Sequence, residues 1–241
     1  MNDEKKINIV LTGQGNAGKS TVFNYLTGLH QHIGNWAGKT IEKREGTLYY
    51  KDFTIDVVDL PGIYSLATLS DEELIAREYI TNNKPDYVVN IVDSSNLERN
   101  LVFTLQLLEL ECPVIVVLNM IDIAKKKGVR IDIEKLQEIL GVPVMSSVAS
   151  RGSGLTEIID RIIETIDKKQ EHKTLKYGME IEDAISVLIN FLKGHDLSYP
   201  SRWIAIKLLE KDSEILKLVS AINPEIINTL QLLWQKLEGI H

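Results

Sequence analysis

The sequence predicts an α/β protein: a mostly parallel, mixed sheet of six strands covered by helices, followed by a small all-helical domain. Two observations predict this fold. Short apolar runs of strand length alternate with helical periods up to residue 168, which is the pattern of repeated βα units. After the polar stretch 167–176 the strand signals cease and only helical periods remain. We therefore expect domains at 1–168 and 178–241, joined by a linker at 169–177.

The six predicted strands are short apolar runs bounded by turn residues or polar segments. The second and third form a hairpin that turns at Lys51-Asp52, which makes the sheet mixed. In chain order the strands are Ile7 to Thr12, Thr40 to Tyr50, Phe53 to Val58, Tyr87 to Val92, Val114 to Leu118 and Val142 to Met145.

Helices are predicted where apolar residues recur at a spacing of three and four. In the first domain they are Lys19 to Thr27, Glu72 to Ile80, Leu97 to Leu110, Ile133 to Leu140 and Leu155 to Ile166. In the second domain two apolar stripes predict helices over 181–192 and 226–237, the latter behind an Asn223-Pro224 start signal.

Composition excludes several classes of protein. The 241 residues are 44% apolar and 25% charged, which is ordinary for a folded domain. A lone cysteine, Cys112, excludes a disulfide scaffold, and no apolar run approaches the ~20 residues of a membrane helix. We therefore expect a soluble, intracellular chain. The net charge of −7 argues against electrostatic binding to nucleic acid, so no nucleic-acid partner is expected.

A glycine-rich octet follows the first predicted strand and opens the first helix. It reads Gly13-Gln14-Gly15-Asn16-Ala17-Gly18-Lys19-Ser20 and matches the phosphate-loop pattern G-x-x-x-x-G-K-[ST]. In such a loop backbone N–H groups surround the phosphates and the helix adds its positive end. Lys19 reaches the β- and γ-phosphate oxygens, and the Ser20 hydroxyl binds Mg²⁺.

The same glycines also match the dinucleotide fingerprint G-x-G-x-x-G. That fold requires an acidic residue at the end of a second parallel strand, whereas the region 24–43 is mostly a long polar loop. It also leaves Lys19 and Ser20 without a role. The phosphate-loop interpretation is therefore favoured over a dinucleotide-dependent oxidoreductase.

Two further motifs follow predicted strands. Asp59-Leu60-Pro61-Gly62 is a D-x-x-G motif that places a carboxylate to hold Mg²⁺ through water and the Gly62 N–H against the γ-phosphate. Asn119-Met120-Ile121-Asp122 is an N-x-x-D motif. The Asp122 carboxylate accepts both N1–H and N2–H₂ of guanine, a donor pair that adenine lacks, while Asn119 either donates toward O6 or braces the loop. In this order the motifs indicate a P-loop GTPase.

The sequence between these motifs resembles the cytosolic GTPase domain of the bacterial and archaeal ferrous iron transport protein B family. The resemblance lies in residues 33–42, 59–66, 90–93 and 97–101, and Tyr199 to Glu210 is similar to the family's helical domain. It implies a GTP-binding and slowly hydrolysing domain that couples nucleotide state to Fe²⁺ uptake. The implied partner is the family's membrane-spanning iron-permeation domain, absent from this chain, which would place the chain at the cytoplasmic face of the membrane. Self-association stays open.

The resemblance also implies roles for individual residues. Thr40 is the switch threonine that joins Ser20 on Mg²⁺, and Asn16 is the K⁺ ligand beside the phosphates. With Lys19, these two form the catalytic set, and Ile63 stands where other GTPases have a water-orienting Gln, which implies slow hydrolysis. The fifth nucleotide loop is Ser147-Val148-Ala149, with the Ala149 N–H near guanine O6. The implied nucleotide contacts are Gly13, Gln14, Gly15, Asn16, Ala17, Gly18, Lys19, Ser20, Thr21, Gly38, Lys39, Thr40, Asp59, Gly62, Asn119, Met120, Asp122, Ser147, Val148 and Ala149.

Some residues depart from the family pattern. Gln14-Gly15 replaces Asn-Pro in the phosphate loop, and Trp36-Ala37-Gly38-Lys39-Thr40 replaces Trp-Pro-Gly-Val-Thr in the switch. Losing two prolines adds loop freedom, and Lys39 adds a cation near the K⁺ site. Val148 removes a hydrogen bond from the fifth loop, which implies weaker nucleotide binding. The alternative function is an RNA- or ribosome-associated assembly GTPase, against which the acidic charge argues.

Overall fold

A seven-stranded mixed sheet organises the first part of the computed structural model, which describes residues 5–67, 70–168, 173–195 and 197–239. The strand order is β2-β3-β4-β1-β5-β6-β7. Strands β1, β4, β5, β6 and β7 run parallel, whereas β2 and β3 pair antiparallel at one side. The strands are β1 Lys5–Gly13, β2 Gln31–Asn35, β3 Glu42–Tyr50, β4 Phe53–Asp59, β5 Tyr87–Asp93, β6 Val114–Asn119 and β7 Val144–Ser146.

The sheet confirms the predicted fold class but has seven strands, not six. The additional strand, β2, is an edge strand inside the segment predicted as a polar loop. It pairs with β3 through backbone groups and carries no alternating apolar pattern, and its one aliphatic side chain, Ile33, is 57% exposed. Hydrophobic periodicity therefore could not predict it.

The described residues of this part of the chain form six α-helices, of which five lie between strands and the sixth, α6, follows β7. Helix α2 begins after Ser70, whose Oγ accepts a hydrogen bond from Glu73 N at 3.2 Å and so caps the helix. Helix α4 was not predicted, because six residues are too few to show a helical period. The helices are α1 Lys19–Thr27, α2 Asp71–Asn83, α3 Leu97–Glu109, α4 Ile121–Lys126, α5 Ile133–Leu140 and α6 Leu155–Thr165.

The central strands are buried on both faces. All six residues of β6 are buried, and so are the apolar residues of β1 and β5. On one face Phe23 of α1 and Ile158 and Ile162 of α6 join the same apolar cluster as the strands. Burial on both sides fixes the positions of the strand ends, from which the loops of the site extend.

The chain divides into two compact units, Met1–Lys173 and Thr174–His241. The second contains α7 Met179–Leu192, α8 Ser201–Leu209, α9 Ser213–Ile222 and α10 Ile226–Glu238. Its core includes Leu188, Trp203 and Leu230, which are fully buried. Helices α8 and α9 have no counterpart among the predicted helices, although Asp212 caps α9 by accepting hydrogen bonds from two backbone N–H groups.

An arginine fixes the start of the second unit. The Arg202 guanidinium donates to both carboxylate oxygens of Glu182, at 2.9 and 2.8 Å, and to the Leu175 carbonyl at 2.6 Å. Glu182 also accepts from Tyr177 N at 3.1 Å. Hydrogen bonding to Arg202 lowers the pKa of Glu182 to about 2. The chain before α7 is therefore anchored by one charged network.

None of the helices in the described ranges combines the length and the apolar character needed to cross a membrane.

Candidate nucleotide-binding site

The predicted site residues meet at one edge of the sheet. Gly13 ends β1, Asp59 ends β4 and Asn119 ends β6, and these parallel strands have their carboxyl ends on the same side. Ligands of open α/β sheets bind at this edge. The topology thus brings together three motifs that are far apart in sequence.

The phosphate loop can adopt its path only with glycine at two positions. Gly13 has φ +149°, and a Cβ there would lie 2.3 Å from the Ile91 carbonyl oxygen. Gly18, before α1, has φ +89°, and its Cβ would lie 2.3 Å from Asn119 Nδ2. Asn16 also has a positive φ, +66°, and is exposed. A side chain at Gly13 or Gly18 would therefore clash with β5 or with Asn119, so only glycine allows the loop to lead into α1 in this conformation.

Lys19 and Asp59 form a buried ion pair. Lys19 Nζ contacts Asp59 Oδ1, and both side chains are almost completely buried. Burial raises the pKa of Asp59 above its ordinary value, and the charge of Lys19 opposes that rise. Because a buried carboxylate needs a compensating cation, this pair keeps both charged groups in place beside the phosphate loop.

Asn119 joins the phosphate loop to the fifth nucleotide loop. Its Nδ2 donates to the Ala17 carbonyl at 2.9 Å, and its Oδ1 accepts from Ser147 Oγ at 3.1 Å and from Ala149 N at 2.9 Å. The side chain is 2% exposed. Of the two roles considered for Asn119, the structure has it bracing the loop. The Ala149 N–H, expected to face guanine O6, donates to Asn119 here.

The residues expected around the base lie next to this brace. Met120 has φ +58° and precedes α4, which places Asp122 in the first turn of that helix. The Asp122 carboxylate is partly exposed and lies 4.0 Å from the Arg151 guanidinium, a neighbour that the sequence did not predict. Val148 N donates to the Ser153 carbonyl at 3.0 Å, so this loop is closed by backbone bonding without a side chain at position 148.

The predicted switch residues lie apart from the phosphate-loop contacts. Gly38, Lys39 and Thr40 belong to the turn between β2 and β3, and the Thr40 side chain is exposed. Lys39 Nζ pairs with Asp71 Oδ1 at 2.6 Å, and the Trp36 ring meets Tyr79 of α2 edge-to-face at 5.3 Å. The turn is thus docked on α2.

The donor atoms at the site suit Mg²⁺. The Ser20 hydroxyl is exposed at the start of α1, and the Asp59 carboxylate lies next to Lys19. The described residues contain no cluster of three or more His, Cys, Asp or Glu side chains able to hold a metal by themselves. Mg²⁺ needs no such cluster, because it takes one or two protein oxygens together with substrate phosphates and water.

The sheet order, the phosphate loop and the Asn119 brace define a P-loop domain of the GTPase class. Comparison with known proteins identifies the family. A family model described as ferrous iron transport protein B matches residues 7–162, and a model of the cytosolic helical domain of FeoB matches residues 177–241. The chain therefore belongs to the ferrous iron transport protein B family. An RNA-associated assembly GTPase, the alternative from sequence, is not the family that matches.

Relatives and solved structures agree with this assignment. An Fe(2+) transport protein A/Fe(2+) transporter FeoB fusion protein of Porphyromonas gingivalis is 42% identical over 220 residues, 88% of this chain and 26% of that protein. The Fe(2+) transporter FeoB of Shigella flexneri is 42% identical over 212 residues, 86% of this chain and 27% of that protein. The chain thus spans about a quarter of the length of these relatives.

The cytosolic domain of T. maritima FeoB in its GMPPNP form superposes with a TM-score of 0.86 at 38% identity, covering 95% of this chain and 93% of that one.

Proposed function

We propose that this chain binds and slowly hydrolyses GTP, and that it reports the nucleotide state to the iron-conducting membrane part of a longer transporter. The Asn119 brace is the observation that carries this proposal. One buried side chain connects the loop that would hold phosphates with the loop that would hold the base. The GMPPNP-bound relative supports the same ligand class.

Guanine selection is assigned to Asp122. Its carboxylate, at the start of α4, accepts the N1–H and N2–H₂ groups of guanine, and adenine would leave it without donors. The Arg151 guanidinium lies beside the Asp122 carboxylate, so the base must either displace Arg151 or share the carboxylate with it. Met120 and Ala149 flank this position.

The phosphates and Mg²⁺ are assigned to the Lys19–Asp59 pair. With phosphates bound, Lys19 would turn toward their oxygens, and Asp59 would hold Mg²⁺ through water, so that the Mg²⁺ charge would compensate the buried carboxylate. Ser20 would be a direct protein ligand of Mg²⁺, and Thr40 would be a second one once the switch turn is released from α2. The Asp59 carboxylate would thus be compensated by the Lys19 ammonium before nucleotide binds and by Mg²⁺ afterwards.

Slow hydrolysis is proposed from Ile63. Its side chain is 2% exposed and its N–H donates to the Gly13 carbonyl at 3.2 Å, so it has neither the chemistry nor the freedom to orient water. Asn16, exposed in the phosphate loop, offers an amide oxygen to K⁺. When bound there, K⁺ supplies positive charge near the transferring phosphoryl group.

Coupling to Fe²⁺ uptake is proposed for the longer protein, because the matched relatives are Fe(2+) transporters of which this chain covers about a quarter. In such a protein, Asp122→Asn, which leaves the buried Lys19–Asp59 pair intact, should weaken GTP-dependent uptake.

The base assignment is tested by competition. GDP should displace a fluorescent GDP analogue from the chain at concentrations at which ADP does not. Asp122→Asn should remove this preference and improve binding of xanthosine diphosphate, whose base carries a carbonyl oxygen, an acceptor, on C2 in place of the guanine amine. Equal displacement by GDP and ADP from the unmodified chain would contradict the proposal.

A further inference from the structure

Three segments meet beside Gly15 of the phosphate loop. They are the loop itself, the residues that follow the D-x-x-G motif, and the first turn of α3. Gln14 Nε2 donates to the Arg99 carbonyl at 2.9 Å, and Gln14 is 5% exposed. A buried amide therefore ties the first turn of α3 to the phosphate loop.

Tyr64 covers the next residue of the loop. A Cβ placed on Gly15 would lie 3.3 Å from the Tyr64 hydroxyl oxygen and 3.9 Å from Cζ, so the end of this ring rests against the loop. A Cβ on Gly62 would lie 3.4 Å from Gly15 Cα. With the Ile63 N–H bonded to the Gly13 carbonyl, the backbone from Gly62 to Tyr64 lies directly on the phosphate loop.

Arg99 in turn covers Tyr64. Its guanidinium lies 4.8 Å from the centre of the Tyr64 ring, although both side chains are largely exposed. A cation placed over an aromatic ring attracts it even at an exposed site. Since Gln14 holds the backbone of Arg99, this attraction fixes the ring relative to the phosphate loop.

We propose that Arg99 is a positioning residue for the third phosphate of GTP. Acting through Tyr64, it holds Gly62 on the phosphate loop, where the Gly62 N–H meets the γ-phosphate. This inference rests on the proposed function. GDP has no group at that point, so the contact favours the triphosphate selectively. Prior placement of the backbone reduces the ordering cost when the γ-phosphate binds.

The test compares GMPPNP and GDP binding, in MgCl₂, to the full chain and its variants. Arg99→Ala and Tyr64→Leu should each weaken GMPPNP binding about two- to fivefold, the size of an exposed cation–ring contact, and leave GDP binding unchanged. The double variant should lose no more than either single one, because both remove the same contact. Arg99→Lys and Tyr64→Phe, which keep a cation and a ring, should retain most of the GMPPNP affinity. Arg130→Ala removes an exposed arginine elsewhere and serves as the control.

Three outcomes would overturn the inference: equal weakening of both nucleotides, unchanged GMPPNP binding, or additive losses in the double variant. Thermal unfolding of each variant identifies a general loss of structure. Failure of the proposed function is distinguishable, because the unmodified chain would then show no preference for guanine nucleotides over adenine nucleotides.

Discussion

Lys39 and Asp71 form an ion pair of 2.6 Å that fastens the turn before β3 to the first turn of α2. Trp36 of the same turn packs on Tyr79, yet its Nε1–H is buried and donates no hydrogen bond to the described residues. An unsatisfied buried donor costs about 1–3 kcal/mol, which offsets part of the stabilisation from packing. The turn is thus held on α2 by contacts weak enough to be released.

Removing this ion pair should favour the triphosphate. If the turn that carries Thr40 must leave α2 for Thr40 to reach Mg²⁺, Asp71→Asn should strengthen GMPPNP binding up to about fivefold relative to GDP, since exposed pairs contribute about 0.2–1 kcal/mol. Titration with both nucleotides measures the ratio.

Glu214→Gln is the matched control for Asp71→Asn. Glu214 also lies in the first turn of a helix, α9, and pairs with Lys217 at 2.9 Å. Its substitution should leave the ratio of GMPPNP affinity to GDP affinity unchanged. If Asp71→Asn has the same ratio of GMPPNP affinity to GDP affinity as the unmodified chain, or a lower one, the turn does not need to be released for GMPPNP to bind.

The Lys19–Asp59 pair should be a stability element as well as a binding element. Lys19→Met leaves a buried carboxylate without its cation, which should lower the free energy of unfolding by about 3–5 kcal/mol. Burial already raises the pKa of Asp59, and loss of Lys19 removes the opposing charge. A raised folded-state pKa favours the protonated carboxyl, so this variant should lose stability as pH rises through that pKa.

Urea unfolding of Lys19→Met at pH 5 and pH 8 measures this dependence. The double variant Lys19→Met/Asp59→Asn has no lone buried charge and should recover part of the stability, with a weaker dependence on pH. A double variant as unstable as Lys19→Met at both pH values would show that the ion pair is not the cause.

Potassium stimulation should depend on Asn16. Asn16→Ala should reduce the stimulation of GTP turnover by KCl and spare GDP affinity, since the amide is assigned to the cation and not to the nucleotide. Turnover in KCl and NaCl, with a GDP titration alongside, separates the two effects. Parallel loss of affinity and stimulation would show that Asn16 acts on the phosphate loop as a whole.

Glu182 should stabilise the helical unit above acidic pH. Arg202 lowers the pKa of Glu182 from 4.5 to about 2. The stabilisation that the ionised Glu182 carboxylate contributes to the folded state is therefore complete above the unfolded-state pKa and is lost as pH falls from 4.5 to about 2. Glu182→Gln should reduce the free energy of unfolding at pH 7 by about 1–3 kcal/mol and so lower the melting temperature. The difference in melting temperature between this variant and the unmodified chain should be smaller at pH 3.

Glu180→Gln provides the control for Glu182→Gln, because Glu180 is exposed on the same helix. A melting-temperature difference that stays constant between pH 7 and pH 3 would argue against the charged network.

The fold class could be predicted from the sequence because buried parallel strands are continuous apolar runs. The β6 residues Val114 to Leu118 are such a run, and they were predicted as a strand. Strand β2 differs, since backbone pairing with β3 forms it while Ile33 stays exposed. Helix α4 is likewise set by the αL turn at Met120 and not by an apolar stripe.

The proximity of the candidate site residues could be predicted from the sequence where a motif follows a strand. Phosphate-loop, D-x-x-G and N-x-x-D residues stand at strand ends, so the topology alone collects them. Side-chain contacts between residues distant in sequence, whether to a backbone carbonyl or to another side chain, left no such signal. Gln14 with Arg99 and Lys39 with Asp71 are pairs of polar residues whose proximity depends on how the loops pack.

The most direct test of the account is GTP turnover with Mg²⁺ in potassium chloride and in sodium chloride at equal ionic strength, with ATP as the control substrate. We expect slow GTP hydrolysis that K⁺ stimulates, with no measurable ATP hydrolysis under either condition. Equal turnover of ATP and GTP, or no turnover of GTP in either salt, would contradict the assignment of this site as a GTP-hydrolysing switch.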